Sequence, residues 1–272
     1  MIGFVLSDME QSFTFAPVGV VHCSNRYKFE APRQGVYSHG SRAEIELLPG
    51  CGFETALCDL DGFARIWVIF VFDRNHGWKP KVSPPVVAGK KRIGVFATRS
   101  PHRPNPVGMS CVELEKIEGR RLFIRNHDFL DGTPVLDIKP YIPAADCFPG
   151  SKAGWRDETD ASEVPVNFEP AAETKMAYIE QISGLDLENF CRVQLAHHPE
   201  SSERKRVERL PDGRYSIGCR TWRVVYELGT DGVRVLDVVS HYRADELAAG
   251  APDQYGDKDC HRSFAERFKD ET

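Results

Sequence analysis

The sequence predicts a mainly β N-terminal domain, a small antiparallel β-barrel over residues 1–150, followed by a smaller α+β C-terminal domain over residues 171–272. Three observations carry that prediction. Short apolar or alternating runs, separated by turn formers, recur from Phe15 to Tyr141. No ten-residue amphipathic helix stands between those runs, which argues against parallel βαβ units. From Phe148 to Pro170 the composition shifts to Pro, Gly, Ser, Asp and Glu, as in a linker or long excursion, and helical periodicity begins beyond it.

Each element has its own signal. Phe15 to His22 is apolar enough for a strand, and Arg42 to Leu48 alternates polar and apolar residues, as a half-buried strand does. Phe53 to Leu60 reads as one short helix ending near Gly62. Residues Ala64 to Phe72 hold the longest apolar run and read as a central strand buried on both faces. Ile93, Val95 and Phe96 suggest a strand ending at Ala97. Val107 to Ile117 and Arg121 to Asn126 flank Glu118-Gly119-Arg120, a hairpin signal, and Val135 to Tyr141 makes a further strand. Beyond the excursion, Ala171 to Ile182 and Asp186 to His197 read as helices, with Asp186 capping the second and Leu187, Phe190, Val193 and Leu195 near its apolar face. Strands follow at Arg214 to Ile217, Thr221 to Glu227 and Val233 to Val239, the last two joined by the turn formers of Leu228 to Gly232.

Composition narrows the class. In 272 residues, 41% are hydrophobic and 28% charged, which suits a soluble globular protein with a real core. Met1 to Phe13 lacks the basic n-region and the apolar length of a signal peptide. The longest apolar run has strand length, not the length of a membrane helix. The eight cysteines form no CxxC pair and read as reduced thiols of a cytoplasmic protein. His197-His198 lacks the i, i+4 spacing of a helical zinc pair, so no metal site is expected. The net charge of -5 disfavours bulk adhesion to nucleic acid, yet Arg74 to Arg103 contains no Asp or Glu. Arg74, Lys79, Lys81, Lys90, Lys91, Arg92, Arg99 and Arg103 there create a local positive field fit for a phosphate backbone.

The densest chemistry lies in Thr98-Arg99-Ser100-Pro101-His102-Arg103-Pro104-Asn105-Pro106. Three prolines fix φ and push each preceding residue toward extended geometry, so little entropy remains to be lost on binding. Arg99, His102, Arg103 and Asn105 supply donors suited to anions and base edges. Either a binding loop or a solvated proline-rich turn satisfies these facts alone. No GxGxxG follows a strand, so there is no Rossmann fingerprint.

Five patches in order carry a resemblance. They are Phe15 to His22, Lys28-Phe29-Glu30-Ala31-Pro32-Arg33-Gln34, Ile66 to Phe72, the proline loop, and Asp131-Gly132-Thr133-Pro134-Val135-Leu136-Asp137-Ile138-Lys139-Pro140-Tyr141. Together they cover about the first half of the chain and make it resemble the TsaA-like, or TrmO, family of S-adenosylmethionine-dependent tRNA methyltransferases. The resemblance implies a β-barrel that holds S-adenosyl-L-methionine with loops. It also implies methyl transfer to the exocyclic amine of threonylcarbamoyl-adenosine beside the tRNA anticodon, and a homodimer with the cofactor near the subunit contact. The matching patches then supply the expected cofactor contacts: Pro32, Arg33, Gln34, Phe72, Asp73, Arg99, Met109, Asp131, Gly132, Thr133 and Pro134. In-line transfer from a sulfonium needs mainly positioning. On that basis Asn105 and Arg103 are expected to orient the acceptor, with Asp137 or Lys139 in electrostatic support. The anticodon loop is single-stranded, so extruding its base costs little.

The second half departs from the family pattern. An Asp-Pro-Arg-Pro-Ala-Tyr motif after the helices is absent, and Pro199 to Val207, rich in Arg and Lys, stands in its place. With Arg209, Arg214, Arg220 and Arg223 it offers phosphate contacts instead. The alternative function is a non-catalytic module that binds S-adenosylmethionine or RNA. A transport barrel for apolar ligands is disfavoured by the arginines of the proline loop.

Overall fold

Alternating side chains close the N-terminal half into a barrel. Its strands are β1 (Gly19–Cys23), β2 (Arg42–Leu47), β3 (Arg65–Val71), β6 (Val107–Glu118), β7 (Arg121–Arg125) and β8 (Pro134–Pro140), in the closed order β1-β2-β7-β6-β3-β8. Every neighbouring pair is antiparallel. β4 (Lys81–Val82) and β5 (Ile93–Gly94) form a separate two-stranded ribbon. Closure leaves no unpaired sheet edge and turns one face of every strand inward. Val21, Ile45, Ile66, Val68, Val112, Leu122, Ile124 and Val135 fill that interior and are fully buried. The computed structural model describes residues 13–38, 40–84, 91–157, 163–202, 205–248 and 250–269. Residues 1–12, Lys90, Glu203 and Arg204, used above, lie outside the described residues.

Three sequence expectations change here. β3 was expected to be buried on both faces, but only Ile66, Val68 and Phe70 are buried, while Trp67, Ile69 and Val71 are half-buried. An antiparallel barrel packs its inner face alone, so an unbroken apolar run does not require two dry faces. The strand expected to run to Ala97 stops at Gly94 and becomes a 3₁₀ turn over Val95–Ala97, which exposes Phe96. The helix expected over Phe53 to Leu60 is a single turn, α1 (Phe53–Ala56), followed by a 3₁₀ turn at Leu60–Gly62. The hairpin at Glu118-Gly119-Arg120 forms as expected, with Gly119 at φ +58°.

After α2 (Pro143–Asp146) comes a second layer: β9 (Val166–Phe168), α3 (Pro170–Ser183), α4 (Leu187–Leu195), β10 (Val207–Arg209), β11 (Tyr215–Cys219), β12 (Trp222–Gly229), β13 (Gly232–Ser240) and α5 (Lys258–Arg267). The sheet order is β10-β11-β12-β13-β9, with β9 parallel to β13. Asp186 caps α4 as expected, accepting from the Asn189 N–H at 2.8 Å. Several elements had no sequence signal, β9 and α5 among them. β9 sits inside the expected linker and is too short to show alternation. α5 buries a face that includes Lys258 and His261, so its stripe does not read as apolar.

Candidate functional site

A cleft of about 380 Å³ opens at one mouth of the barrel. The end of β3, the start of β6, the 31–34 turn, the proline loop and the segment 128–133 converge on it. Phe72 N–H donates to Pro106 carbonyl at 2.8 Å, carrying the β3–β6 pairing into the proline loop. The floor is aromatic: Phe70 meets both Phe72 and Phe129 edge-to-face with centroids 5.0 Å apart. Gly108 is required beside it, because a Cβ there would lie 2.3 Å from the Phe70 ring.

Polar groups rim this floor. Arg99 donates to the side-chain carbonyl of Gln34 and so ties the proline loop to the 31–34 turn. Arg103 donates to the Thr98 and Ser100 carbonyls at 3.0 and 3.2 Å, stapling its own loop. Trp155 closes the loop from outside through a 2.9 Å bond to the Ala97 carbonyl. On the opposite wall Arg74 donates to the carbonyls of Arg26 and Asp131, and Lys28 to Asn75 Oδ1 at 2.8 Å. The rim is thus cationic and preorganised, as an anionic ligand group requires.

Of the residues expected to hold the cofactor, Pro32, Arg33, Gln34, Phe72, Asp73, Arg99, Met109 and Thr133 line the cleft, joined by Arg103. Asp131, Gly132 and Pro134 do not line it. They build the turn behind Thr133: Asp131 Oδ1 accepts from the Cys23 N–H at 3.1 Å and Gly132 N–H donates to Val21 at 2.8 Å. Pro134 pairs with Val20 at the start of β8. Asn105 is exposed on the loop beyond the lining. Asp137 and Lys139 pair with each other at 2.8 Å, both well exposed and outside the lining. Asp131 and Gly132 are spent on the turn before β8, and Asp137 and Lys139 lie further along that strand and pair with each other, so a motif contiguous in sequence does not deliver every side chain to one site.

Besides Phe70 and Phe129 of the floor, sequence reasoning missed two contributors. Asp128 lines the cleft, and its carboxylate accepts from the Ser110 hydroxyl. Burial pushes its carboxyl up to about 6, while the Ser110 bond and nearby Arg99 pull the other way. The C-terminal sheet was expected, but not its support of the site: Arg220, expected to contact phosphate, is instead taken up by a largely buried ion pair. Arg220 grips Glu30 with Nε 2.5 Å and Nη2 2.9 Å from the two carboxylate oxygens, and also bonds the Ser24 carbonyl at 3.0 Å. Gln194 donates to the Phe29 carbonyl at 2.8 Å. The segment that delivers Ala31 to Gln34 is therefore held from the other half of the chain.

Among the described residues no group of His, Cys, Asp or Glu converges as metal ligands would. Nor is any described helix long and apolar enough to cross a membrane.

With this geometry in place, relatives decide the family. Residues 20–147 match the tRNA-methyltransferase O N-terminal domain. The chain is 37% identical over 203 residues to a tRNA (adenine(37)-N6)-methyltransferase of Escherichia coli, covering 72% of this chain and 86% of that protein. The chain belongs to the TrmO family. A crystal structure of TrmO from Pseudomonas aeruginosa superposes with a TM-score of 0.63 at 31% identity, covering 85% of this chain and 99% of that one. A further Pseudomonas aeruginosa relative, RcsF, has a provisional description as an S-adenosylmethionine-dependent methyltransferase. It is 42% identical over 144 residues, which are 52% of this chain and 62% of that protein. The TrmO-family match spans the whole barrel except its β1 start, so cleft and family assignment rest on the same residues.

Proposed function

We propose that this chain is a methyltransferase that uses S-adenosyl-L-methionine to methylate the exocyclic N6 of adenosine 37 in tRNA, with threonylcarbamoyl-adenosine as the acceptor. The carrying observation is that one cleft gathers nine of the residues expected from sequence: Pro32, Arg33, Gln34, Phe72, Asp73, Arg99, Arg103, Met109 and Thr133. The donor set fits the cofactor. Arg33 and Arg99 suit a carboxylate, the Phe70–Phe72–Phe129 floor offers π faces to a cation, and Asp73 and Thr133 can accept from hydroxyls. The volume lies within the range of small-ligand sites.

Bound S-adenosylmethionine supplies an electrophilic methyl group. The chain's own residues do the positioning. The Arg99–Gln34 bond holds the two anion-binding loops at a fixed separation. Arg103 keeps the proline loop in one shape, and Asn105, exposed on that loop, is assigned to orient the acceptor base. Asp137 and Lys139, an exposed pair on β8, are assigned a contact with the tRNA rather than with the reacting atoms.

The anticodon stem-loop is the part of tRNA that presents this base. Trp78 and the cationic Lys79, Lys81, Lys91 and Arg92 lie exposed on and beside the β4–β5 ribbon and suit its backbone. Exposed Phe96, together with Val107 and Met109, which are exposed at the cleft itself, supports a homodimer in which a second copy covers these apolar side chains. A tRNA substrate also favours a cytoplasmic location.

The test combines isothermal titration of S-adenosylmethionine with transfer of a radiolabelled methyl group to unmodified and threonylcarbamoylated tRNA. Label in N6-methylated adenosine 37 is expected, together with a loss of affinity of tenfold or more in Arg99→Ala. Binding without any incorporation would leave a non-catalytic module, and absence of binding would remove the reading altogether.

A further inference from the structure

We propose that Asp128 is the proton acceptor of the transfer, taking the N–H proton that the adenosine nitrogen sheds as it gains the methyl group. This rests on the methyltransferase reading above.

The geometry singles out this carboxylate. The cleft lining holds two acidic side chains, Asp73 and Asp128. Asp73 is exposed and faces the Arg74 guanidinium at 4.0 Å, so its charge is screened and engaged at the rim. Asp128 sits deeper, next to Phe129 of the aromatic floor, and receives the Ser110 hydroxyl from β6. That bond fixes one oxygen and leaves the carboxylate oriented by the barrel wall rather than by a flexible loop. Proton transfer needs this kind of positioned group within hydrogen-bond reach of the reacting nitrogen.

Its electrostatic setting suits the task. The charged and titratable groups that share the cleft with Asp128 are Arg99 and Arg103 of the proline loop, Arg33 of the turn, and Lys28, Asp73 and Arg74 of the far wall. Neighbouring His127 is buried, its imidazole depressed to about 4, and is therefore neutral near pH 7. Its Nδ1 is committed to the Phe129 N–H at 3.2 Å, so it does not compete for the proton. Burial lifts the Asp128 carboxyl to about 6, high enough to accept a proton usefully yet ionised at neutral pH.

The nitrogen lone pair forms the new C–N bond while the C–S bond breaks, its electron pair staying on sulfur and cancelling the sulfonium charge. The N–H bond breaks in the same direction: its electrons remain on nitrogen, and the proton goes to Asp128 and then to solvent. No oxidant or further co-reactant is needed.

Asp128→Asn and Ser110→Ala test this, read by three measurements on the full chain: methyl transfer, S-adenosylmethionine affinity by titration calorimetry, and thermal unfolding. Wild type is expected to lose kcat below about pH 6, the value of the buried carboxyl. Asp128→Asn should keep its fold and bind S-adenosylmethionine within threefold of wild type, while kcat falls by about 10²-fold or more, the usual scale for a lost acid–base group. Ser110→Ala removes a donor to the ionised form, so the acid limb of its kcat profile should move to higher pH with affinity kept. Asp128→Asn turning over within tenfold of wild type overturns the proposal. So does a cofactor affinity lost in proportion to kcat, which would make Asp128 a ligand. If Asp128→Asn fails to fold, an unmoved acid limb in Ser110→Ala overturns it alone. A wild type that transfers no methyl group refutes the methyltransferase reading instead, whatever the variants do.

Discussion

Arg220, on the turn between β11 and β12, holds Glu30, the residue before the cleft turn, in a two-point ion pair with both side chains largely out of water. Glu30 is 3% exposed and Arg220 15%. Glu30 also accepts from the backbone N–H groups of Arg26 and Tyr27 at 2.6 and 3.1 Å, so one carboxylate folds the whole 26–30 turn. Arg220 adopts φ +50°, a left-handed conformation that a non-glycine residue takes at some cost, which the pair and the Ser24 bond offset. The second half of the chain thereby shapes the cleft without lining it.

Breaking that pair strands a buried charge. Glu30→Gln or Arg220→Ala should lower stability by about 3 kcal/mol in denaturant titrations, the usual result of removing one partner. Affinity for S-adenosylmethionine should fall as well, since Ala31 to Gln34 lose their support. Stability unchanged within experimental error in both variants would show that the pair is ornamental.

Gly108→Ala places a methyl group 2.3 Å from the Phe70 ring. Because Phe70 is itself packed on Phe72 and Phe129, the ring cannot simply step aside. A loss of about 1–3 kcal/mol is expected for such overpacking, together with weaker cofactor binding by calorimetry. Gly94→Ala, with open space around it, is the matched control.

His261 gives stability an acid limit. It is fully buried, stacked on Trp222 at 3.8 Å, and bonded to Thr221 and Ser240 at 2.9 and 2.7 Å. Burial depresses its imidazole from 6.5 to about 4, so below 6.5 the unfolded chain binds a proton that the folded chain refuses. The resulting stabilisation is complete above 6.5 and is lost as pH falls toward 4. Carboxyls raised by burial, Asp128 and Asp186, slope the other way but are shared by any variant at this position. The stability advantage of wild type over His261→Gln should therefore shrink by about 2–3 kcal/mol between pH 7 and 4, at ~1.4 kcal/mol per pH unit. Parallel curves across that range would contradict the burial account.

The ribbon cations should dominate the salt dependence of tRNA binding. Removing Lys79 and Lys81 together is expected to flatten the slope of log K against log salt by about 1–2. S-adenosylmethionine affinity should stay the same, because neither residue lines the cleft. An unaltered slope would move the RNA contact elsewhere.

Much of this molecule is readable residue by residue. Alternation in Arg42–Leu47, the glycine turn at Gly119 and the cap at Asp186 are local facts, set by neighbours a few positions away, and each appears in the fold. The proline loop likewise declares itself, because φ is fixed wherever the prolines fall. The resemblance groups Asp131, Gly132, Pro134, Asp137 and Lys139 with Thr133 in one motif, yet of these six only Thr133 lines the cleft, while Asp131 bonds within the turn, Pro134 pairs with β1 and Asp137 pairs with Lys139. α5 stayed hidden because Lys258 and His261 are buried through partners that only the fold supplies, the Glu246 carbonyl and the hydroxyls of Thr221 and Ser240.

The chain's own order of residues thus fixed the strand-rich first half, the stiff cationic loop and the family patches, since these depend on steric limits and periodicity acting over short range. Which groups meet was decided in three dimensions. Asp128 turns toward the cleft because β6 brings Ser110 to it, and Glu30 finds Arg220 across 190 positions because the two halves pack together. Such pairings depend on how sheet closure and burial bring distant segments into contact, and no local pattern encodes that.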